Sequence, residues 1–506
     1  GMTPLEFTLL GIPKREYRIE DLVSISAYMS YTFSNAVLQD PLISHIQKNL
    51  GSSYLKDLAL NWPEGDTQIK VSKQHNDTDL GLATFFAEME NVLSRIPPFF
   101  GSNSWVISGS HSKSGKVILA NDPHIGFAAP STWYEAHMKT PDWELYGHHL
   151  AGIPFAILGH NRRMAWGVTM LQNDDLDYFR ERTNPANPDQ VWFRDHWEDL
   201  KIIEEIISVK GSEDRPLRVR ISRHGPIIND VLESFEKIES QPVALAWEML
   251  SNFENSTEQV FYELGHSESL EDSRAAASKL HAPGLNINYG DAEGNIAWWA
   301  AARLAIRPAH VNSFIILDGA SGKDEVLGYR DFSENPQSEN PKSGILFNGN
   351  NQPGDTGSGL EPGYYAPEER AHRIGQLLNP VKKNWTADEM KSIQLDTNNP
   401  RIQNFRKHFL TLISENSARS EVFRNAAEVF KNWDGMHDIK AAGPTIFHRL
   451  FYHLSLGIFA DEIEEKGTLV LLNVSLIDKS IPLLLNNPQS PWWDNVDTPD
   501  IRETQA

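Results

Sequence analysis

Cysteine is absent from the 506 residues, and with it go disulfides, thiolate nucleophiles and every Cys-ligated zinc or iron–sulfur site. The redox compartment therefore stays open. Positive charge is also scarce: 46 Lys and Arg stand against 68 Asp and Glu, a formal net charge of −22. Such a field repels phosphate backbones and anionic lipid surfaces, so neither nucleic acid nor a membrane is an expected partner. No apolar run approaches the ~20 residues a bilayer span needs; the nearest is the broken stretch Leu469 to Ile477. The opening residues, Gly1-Met2-Thr3-Pro4-Leu5-Glu6, have neither a basic n-region nor an apolar h-region. Gly-Met reads as a tag scar or a cut boundary, and an export signal could have been trimmed or lie upstream.

What is present suffices for a large core. The chain is 40% hydrophobic and 10% aromatic, which excludes disorder for most of its length, and ~150 residues per domain gives a prior of two to four domains. Apolar residues at helical spacing predict a helix over Ile19 to Phe33 and another through Leu82, Phe85, Phe86, Met89, Val92 and Leu93. Pro97-Pro98 must end the second. Strand-like runs then follow closely: Trp105 to Ser108, Val117 to Ala120, Phe155 to Leu158, Met164 to Thr169, Leu217 to Ile221, Val243 to Trp247 and Ile296 to Ala300. From Asn335 to Pro367 Gly, Pro, Asn and Ser dominate, which predicts a long surface connection. Helices return beyond it. Thr386 and Glu389 form a capping box, and helical spacing resumes over Phe405 to Ile413, Val422 to Phe430 and Ile446 to Ile463. There is no internal repeat.

Several local patterns carry no chemistry. Gly319-Ala320-Ser321-Gly322-Lys323 lacks the frame and the following Ser or Thr of a phosphate loop. The Asn-x-Ser/Thr sequons at Asn76, Asn255, Asn384 and Asn473 are common by chance. None of the 18 His forms an H-E-x-x-H pair, which argues against a catalytic zinc. No Gly-x-Ser-x-Gly offers an ordinary serine hydrolase elbow. Another route to a nucleophile exists. If the chain is cut between Gly101 and Ser102, Ser102 carries both a hydroxyl and a free α-amine, whose reference pKa of ~7.7 to 8.0 suits a general base near neutrality. Small Gly101 leaves room for the hydroxyl to attack the preceding carbonyl, and the linker after Pro97-Pro98 is where strain could assist. By itself Gly101-Ser102-Asn103-Ser104-Trp105 is weak evidence and reads first as a loop entering a strand.

The segments that follow carry more weight. Ser102-Asn103-Ser104-Trp105, Asn121-Asp122-Pro123-His124-Ile125-Gly126, Gly152-Ile153-Pro154, Gly159-His160-Asn161 and Ala165-Trp166-Gly167-Val168-Thr169, with the order and spacing unbroken to Asp177, resemble the start of the β chain of the penicillin acylase family. These are N-terminal nucleophile amidohydrolases whose precursor cuts itself into α and β chains. Leu285-Asn286-Ile287-Asn288-Tyr289-Gly290-Asp291 and Gly294-Asn295-Ile296 resemble the family segment that holds the oxyanion asparagine, and a looser resemblance runs from about Leu5 to Arg502. The resemblance implies Ser102 as nucleophile, Asn286 as side-chain donor to the oxyanion and Met170 as backbone donor. It implies His124 as a group that orients Ser102, with a packing histidine beside Pro123 as the alternative, and Arg307 as an active-site arginine, with a surface ion pair as the alternative.

The resemblance also implies no catalytic cofactor and one structural calcium, held by Asp174, the Leu176 carbonyl and Asp177. Gln39 stands where the family has a glutamate ligand, with Asp40 beside it, and an unmetallated acidic turn is the other reading. The acyl pocket falls at Met29, Phe33, Ile125, Ile157, Leu158 and Val168, all apolar, which favours an uncharged acyl group. Both ends look clipped relative to the family.

The expected fold is α+β: an αββα four-layer N-terminal nucleophile hydrolase sandwich with a helical α-chain segment and a helical C-terminal part. Its divisions are an α-chain-like segment at 1–101, a β-chain core at 102–334, a loop-rich connection at 335–367 and a helical part at 368–506. The expected function is hydrolysis of the linear amide of a small N-acyl compound, such as a β-lactam side chain or an N-acyl-homoserine lactone. The resemblance places it in the periplasm or outside the cell, as α and β chains of one precursor. The rivals are a catalytically silent binding paralogue and, more remotely, a carbohydrate-active enzyme.

Overall fold

The computed structural model describes residues 3, 5–60, 82–93, 99–129, 131–251, 257–354, 359–378, 381–416, 420–496 and 498. Pro97, Pro98 and the sequons at Asn76 and Asn255 lie outside these residues.

Two sheets form the centre. One has seven strands, Trp133–Lys139, Glu144–Leu150, Leu158–His160, Met164–Met170, Leu285–Asp291, Ile296–Ala301 and Gln337–Glu339, with Met164–Met170 pairing antiparallel to Leu285–Asp291. The other has three: Phe99–Ile107 lies between Ile118–Ile125 and Ile345–Asn348, antiparallel to both. Leu285 through Gly290 are all buried, without the alternation of a half-solvated strand, because they are covered on one face by helices and on the other by the second sheet.

Each sheet turns its outer face to helices. Thr257–His266 and Leu270–Ala277 bring Val260, Phe261 and Ala276 against Leu145, Trp166 and Trp299 of the larger sheet. Glu369–Leu377 and Ala387–Gln394 bring Ile374 and Met390 against Trp105 and Ile107 of the smaller one. Helix, sheet, sheet, helix is thus the layer order. Fully buried Trp105, Trp166 and Trp299 sit where apolar burial is worth roughly 1.5–3 kcal/mol per large side chain.

The largest core is helical. Ala36–Asn49 and Leu82–Leu93 pack with Arg401–Asn416, Glu421–Asn432, Gly443–Asn473 and Leu476–Leu485, burying Ile43, Phe85, Phe405, Phe447 and Ile481 together. Segments at 1–101 and 368–506, separate in sequence, therefore share one interior. Glu464 has φ +61 and breaks the helix Gly443–Asn473. Among the described residues no single helix is long and apolar enough to cross a membrane.

Two expectations need correction. The strand expected from Trp105 begins at Phe99, so the Gly101–Ser102 bond lies in a strand, at a register irregularity between Phe99 and Gly101, and not in a free linker. The stretch 335–367 is not a surface connection either. Its Ile345–Asn348 strand completes the smaller sheet, and Asn348, Asn350, Glu361, Tyr364 and Tyr365 are buried. Its asparagines and glycines resemble loop composition because they bring backbone and amides to the interior.

Candidate active site

Ser102 is buried near the head of the central strand of the three-stranded sheet. Its Oγ accepts from the Met170 backbone N–H at 3.4 Å and from Asn350 Nδ2 at 3.1 Å. Its backbone N–H donates to Asn350 Oδ1 at 2.7 Å. Gly101, with φ +141, is in a region that L side chains rarely adopt, and a Cβ there would stand 2.8 Å from Arg370 Nη2 and 3.1 Å from Asn350 Oδ1. Glycine before Ser102 is thus demanded twice, by conformation and by space.

Asn286 lies on the adjoining strand of the larger sheet. Its Nδ2 donates to Thr169 Oγ1 at 3.0 Å and to the Met170 carbonyl at 3.1 Å, and its Oδ1 accepts from Trp298 Nε1 at 2.9 Å. Thr169 Oγ1 in turn donates to Asn348 Oδ1 at 2.6 Å. Asn121 ties the two sheets together: Oδ1 accepts from Val168 N–H at 2.8 Å, and Nδ2 donates to Val168 O and Asn103 O at 3.0 and 2.8 Å. Ser102, Met170 and Asn286 are therefore brought to one point by a lattice of neutral amides. Fixed dipoles of this kind need no reorganisation when charge develops beside them.

Ser102 opens onto an apolar cavity. Of the six residues expected in its wall, Met29, Phe33, Ile157 and Val168 line it; Ile125 and Leu158 do not. Leu158 is instead packed in the core beneath the larger sheet. Trp133, Leu150, Phe261 and Leu285, unanticipated from sequence, also line the cavity. So does Phe99, whose ring meets that of Phe33 edge-on at 4.7 Å. The residues just before Ser102 thus supply part of the wall in the uncut chain.

Two expected site residues point elsewhere. His124 Nε2 bonds Asp122 Oδ2 at 3.0 Å and Asn103 Nδ2 at 3.3 Å, and makes no hydrogen bond to Ser102. Gly101 pairs with His124 across the ladder and Ser102 with Pro123; adjacent positions face opposite sides of a sheet, which turns the imidazole away from the Ser102 hydroxyl. Arg307, neither beside Ser102 nor at the surface, is buried among acids. Its Nη2 lies 2.8 Å from Asp177 Oδ2 and 3.4 Å from Asp174 Oδ2. Burial opposes its charge, but Asp177 and Asp174 together outweigh that and hold it above the ordinary arginine range. Leu176 is fully buried in the strand Leu176–Arg180, opposite Trp247. Gln39 and Asp40 are buried in the helix Ala36–Asn49, where Asp40 accepts from Tyr364 Oη at 2.7 Å.

Sequence reading missed Asn350 and Arg370. Arg370 Nη1 donates to the Ser102 carbonyl at 2.8 Å and to Asn103 Oδ1 at 2.7 Å, and Nη2 donates to Asn350 Oδ1 at 2.8 Å. One signal was available. Arg370 lies in the first turn of the helix Glu369–Leu377, where a cation opposes the helix dipole and needs another reason to be there.

A four-layer αββα sandwich with a buried serine near the head of a central strand is the architecture of the N-terminal nucleophile hydrolases. The sequence model of the family described as penicillin amidase matches residues 1–506, and the chain belongs to that family. It is 24% identical over 537 residues to an acyl-homoserine lactone acylase, QuiP, of Pseudomonas aeruginosa, covering 99% of this chain and 62% of that protein. It is 26% identical over 350 residues to a penicillin G acylase of Escherichia coli, covering 68% of this chain and 40% of that one. Among solved structures, a thermostable penicillin G acylase from Alcaligenes faecalis shares the fold with a TM-score of 0.61 at 22% identity, over 70% of this chain and 64% of that chain. The chain thus spans less than two thirds of the length of these relatives.

Proposed function

We propose that the chain is an amidohydrolase that cleaves the linear amide of a small N-acyl compound, a β-lactam side chain or an N-acyl-homoserine lactone, through an acyl-enzyme on Ser102. The observation that carries this is the Ser102 Oγ held between the Met170 N–H and an asparagine amide at the mouth of an apolar cavity. Maturation comes first. Ser102 Oγ attacks the Gly101 carbonyl carbon and its proton passes to the nitrogen as the C–N bond breaks, which frees the α-amine and leaves an ester; water hydrolyses that ester to the Gly101 carboxylate and restores the Ser102 hydroxyl. In turnover that amine takes the Oγ proton as Oγ attacks the substrate carbonyl. The oxyanion is met by the Met170 N–H and, once it exchanges a present partner, the Asn286 amide. The departing amine carries the proton away, and water, deprotonated by the α-amine, releases the acid.

The α chain of 1–101 would stay bound after cleavage, because Ala36–Asn49 and Leu82–Leu93 share their core with the C-terminal helices. A periplasmic or secreted location belongs to the same proposal and rests on family resemblance.

The residues that the resemblance offers to calcium do not suit it. Calcium takes six to eight oxygens at about 2.3–2.6 Å, whereas Asp174 and Asp177 close on the Arg307 guanidinium. Among the described residues no three His, Cys, Asp or Glu are grouped so as to hold a metal. Arg307 serves as the internal cation in this reading.

The test is intact mass of the purified protein together with hydrolysis of a chromogenic acyl amide. Two fragments parting at Gly101–Ser102, with activity, are expected. One uncut, inactive chain would favour a silent binding protein.

A further inference from the structure

We propose that Arg370, acting through Asn350, is a positioning residue that orients Ser102 and keeps its α-amine unprotonated once cleavage has freed it. The proposal rests on the reading of Ser102 as an N-terminal nucleophile.

The orientation follows from donor chemistry. A guanidinium has five N–H donors and no acceptor, so the Asn350 atom 2.8 Å from Arg370 Nη2 must be Oδ1. That choice fixes the rest of the amide. Oδ1 is left to accept from Ser102 N at 2.7 Å, and Nδ2 must face the Ser102 Oγ at 3.1 Å and the Met170 carbonyl at 2.8 Å. Asn350 is fully buried with φ +65, which suits asparagine better than most residues. One residue thus holds both the nitrogen and the oxygen of Ser102, and Arg370, on the oxygen side, and the Met170 carbonyl, on the nitrogen side, set which way round.

The charge follows from what surrounds the guanidinium. Among the described residues Arg370 forms no salt bridge; it donates to the Ser102 carbonyl, Asn103 and Asn350. Burial lowers its pKa to about 10, with Asp122 and Glu369 opposing at longer range. The titratable groups facing this cluster are Arg370, with Glu369 beside it on the helix, and, on the strand paired with Ser102, Asp122 and His124, which pair with each other. A freed α-ammonium would share its one amide acceptor with a cation already bonded to it. Like charge disfavours the protonated amine, whereas the neutral amine keeps a lone pair for the Oγ proton.

In the matured two-chain protein the Ser102 α-amine is expected to titrate below the ordinary ~7.7 to 8.0. This can be read from the pH dependence of its reaction with an amine-selective acylating reagent, followed by mass analysis of the β-chain N-terminus. Arg370→Gln should raise that value by about one unit or more, and move the acid limb of the kcat/KM profile upward by the same amount. Arg370→Lys, which keeps the charge and loses the fork, should restore the limb more than the rate. A wild-type amine titrating at 8 or above overturns the proposal, and needs no variant to fold. So does an Arg370→Gln protein that loses rate equally at every pH, which would make Arg370 merely structural. A wild-type chain that is never cut at Gly101–Ser102 overturns the N-terminal nucleophile reading and this proposal with it; a cut chain with an unshifted amine overturns this proposal alone.

Discussion

Two buried polar regions of this protein solve opposite problems. Around Ser102 the polar groups are mostly neutral: Asn103, Asn121, Asn286, Asn348, Asn350 and Thr169, with Arg370 as the cation. Around Arg307 they are ionisable: Asp40, Asp174 and Asp177, with Asp175 next in the chain. Burial pushes the Asp175 carboxyl up to about 7, with Asp174 adding to it, and drives Asp40 well above the carboxylate range. Amide dipoles do not titrate. A site whose reaction turns on one proton gains from surroundings that hold still while that proton moves, whereas a structural cluster needs only a balance of charge. The first region should therefore fail in rate and the second in stability.

The largest effect tests the first half of that contrast. Ser102→Ala is expected to leave the chain uncut and to abolish amide hydrolysis, a loss on the order of 10⁴-fold or more, with a melting temperature close to wild type. Self-cleavage or undiminished hydrolysis by the Ser102→Ala protein would remove Ser102 from both steps.

Breaking the second region should invert the pattern. Arg307→Ala strands two buried carboxylates, and removal of one partner from a buried pair costs about 3–5 kcal/mol, measurable by urea denaturation. On the proposal that Arg307 is the internal cation, chelation of the wild-type protein should leave its melting temperature unchanged. Bound calcium by elemental analysis, together with destabilisation on chelation, would return Asp174 and Asp177 to the role that the resemblance gave them.

The same contrast explains what could be read from sequence. The helices Ile19–Phe33 and Leu82–Leu93 and the capping box at Thr386 were legible because periodicity and capping are local. Ser102, Met170 and Asn286 came from motif order, and the structure converges them by pairing Met164–Met170 with Leu285–Asp291. Asn350 and Arg370 are 248 and 268 residues from Ser102, the first in a stretch whose composition looks like loop and the second in the helix beyond it, and no local rule connects them. Arg307 was misplaced for a related reason: its partners, Asp174 and Asp177, lie about 130 residues away and were already assigned to an ion.

The cavity offers a third test. Among the described residues no ionisable side chain lines it, so an acyl tail that buries a charge there lacks a partner at a cost of roughly several kcal/mol, while each buried methylene contributes about 0.8 kcal/mol. Phenylacetyl and medium-chain acyl amides of one chromogenic amine should be hydrolysed faster than glutaryl or adipyl amides. Preference for the dicarboxylic acyl groups would mean that a cation reaches the wall.

A smaller effect should follow at Asn286. Asn286→Ala is expected to lower kcat by about 10²-fold with little change in KM, since its donor matters mainly in the transition state. An altered KM at unchanged kcat would place it in substrate binding, and would leave the Asn350 amide, already on Ser102 Oγ, as the side-chain donor.

The smallest effect concerns His224, which lines the same polar cavity as Arg307 and extends the charged region outward. Its Nδ1 and Nε2 each lie 2.8 Å from a carboxylate, Glu181 and Glu325. Burial opposes its protonation, but the two carboxylates outweigh that and raise it to about 9. A folded-state pKa raised above the unfolded value contributes stability that is complete below about pH 6.5 and is lost as pH rises through about 9. Wild type should therefore lose stability relative to His224→Gln as pH climbs through that window, with the difference between the two flat below it. Parallel stability curves from pH 6 to 10 would show that His224 is neutral in the fold, and that ionic balance as a structural device stops at Arg307.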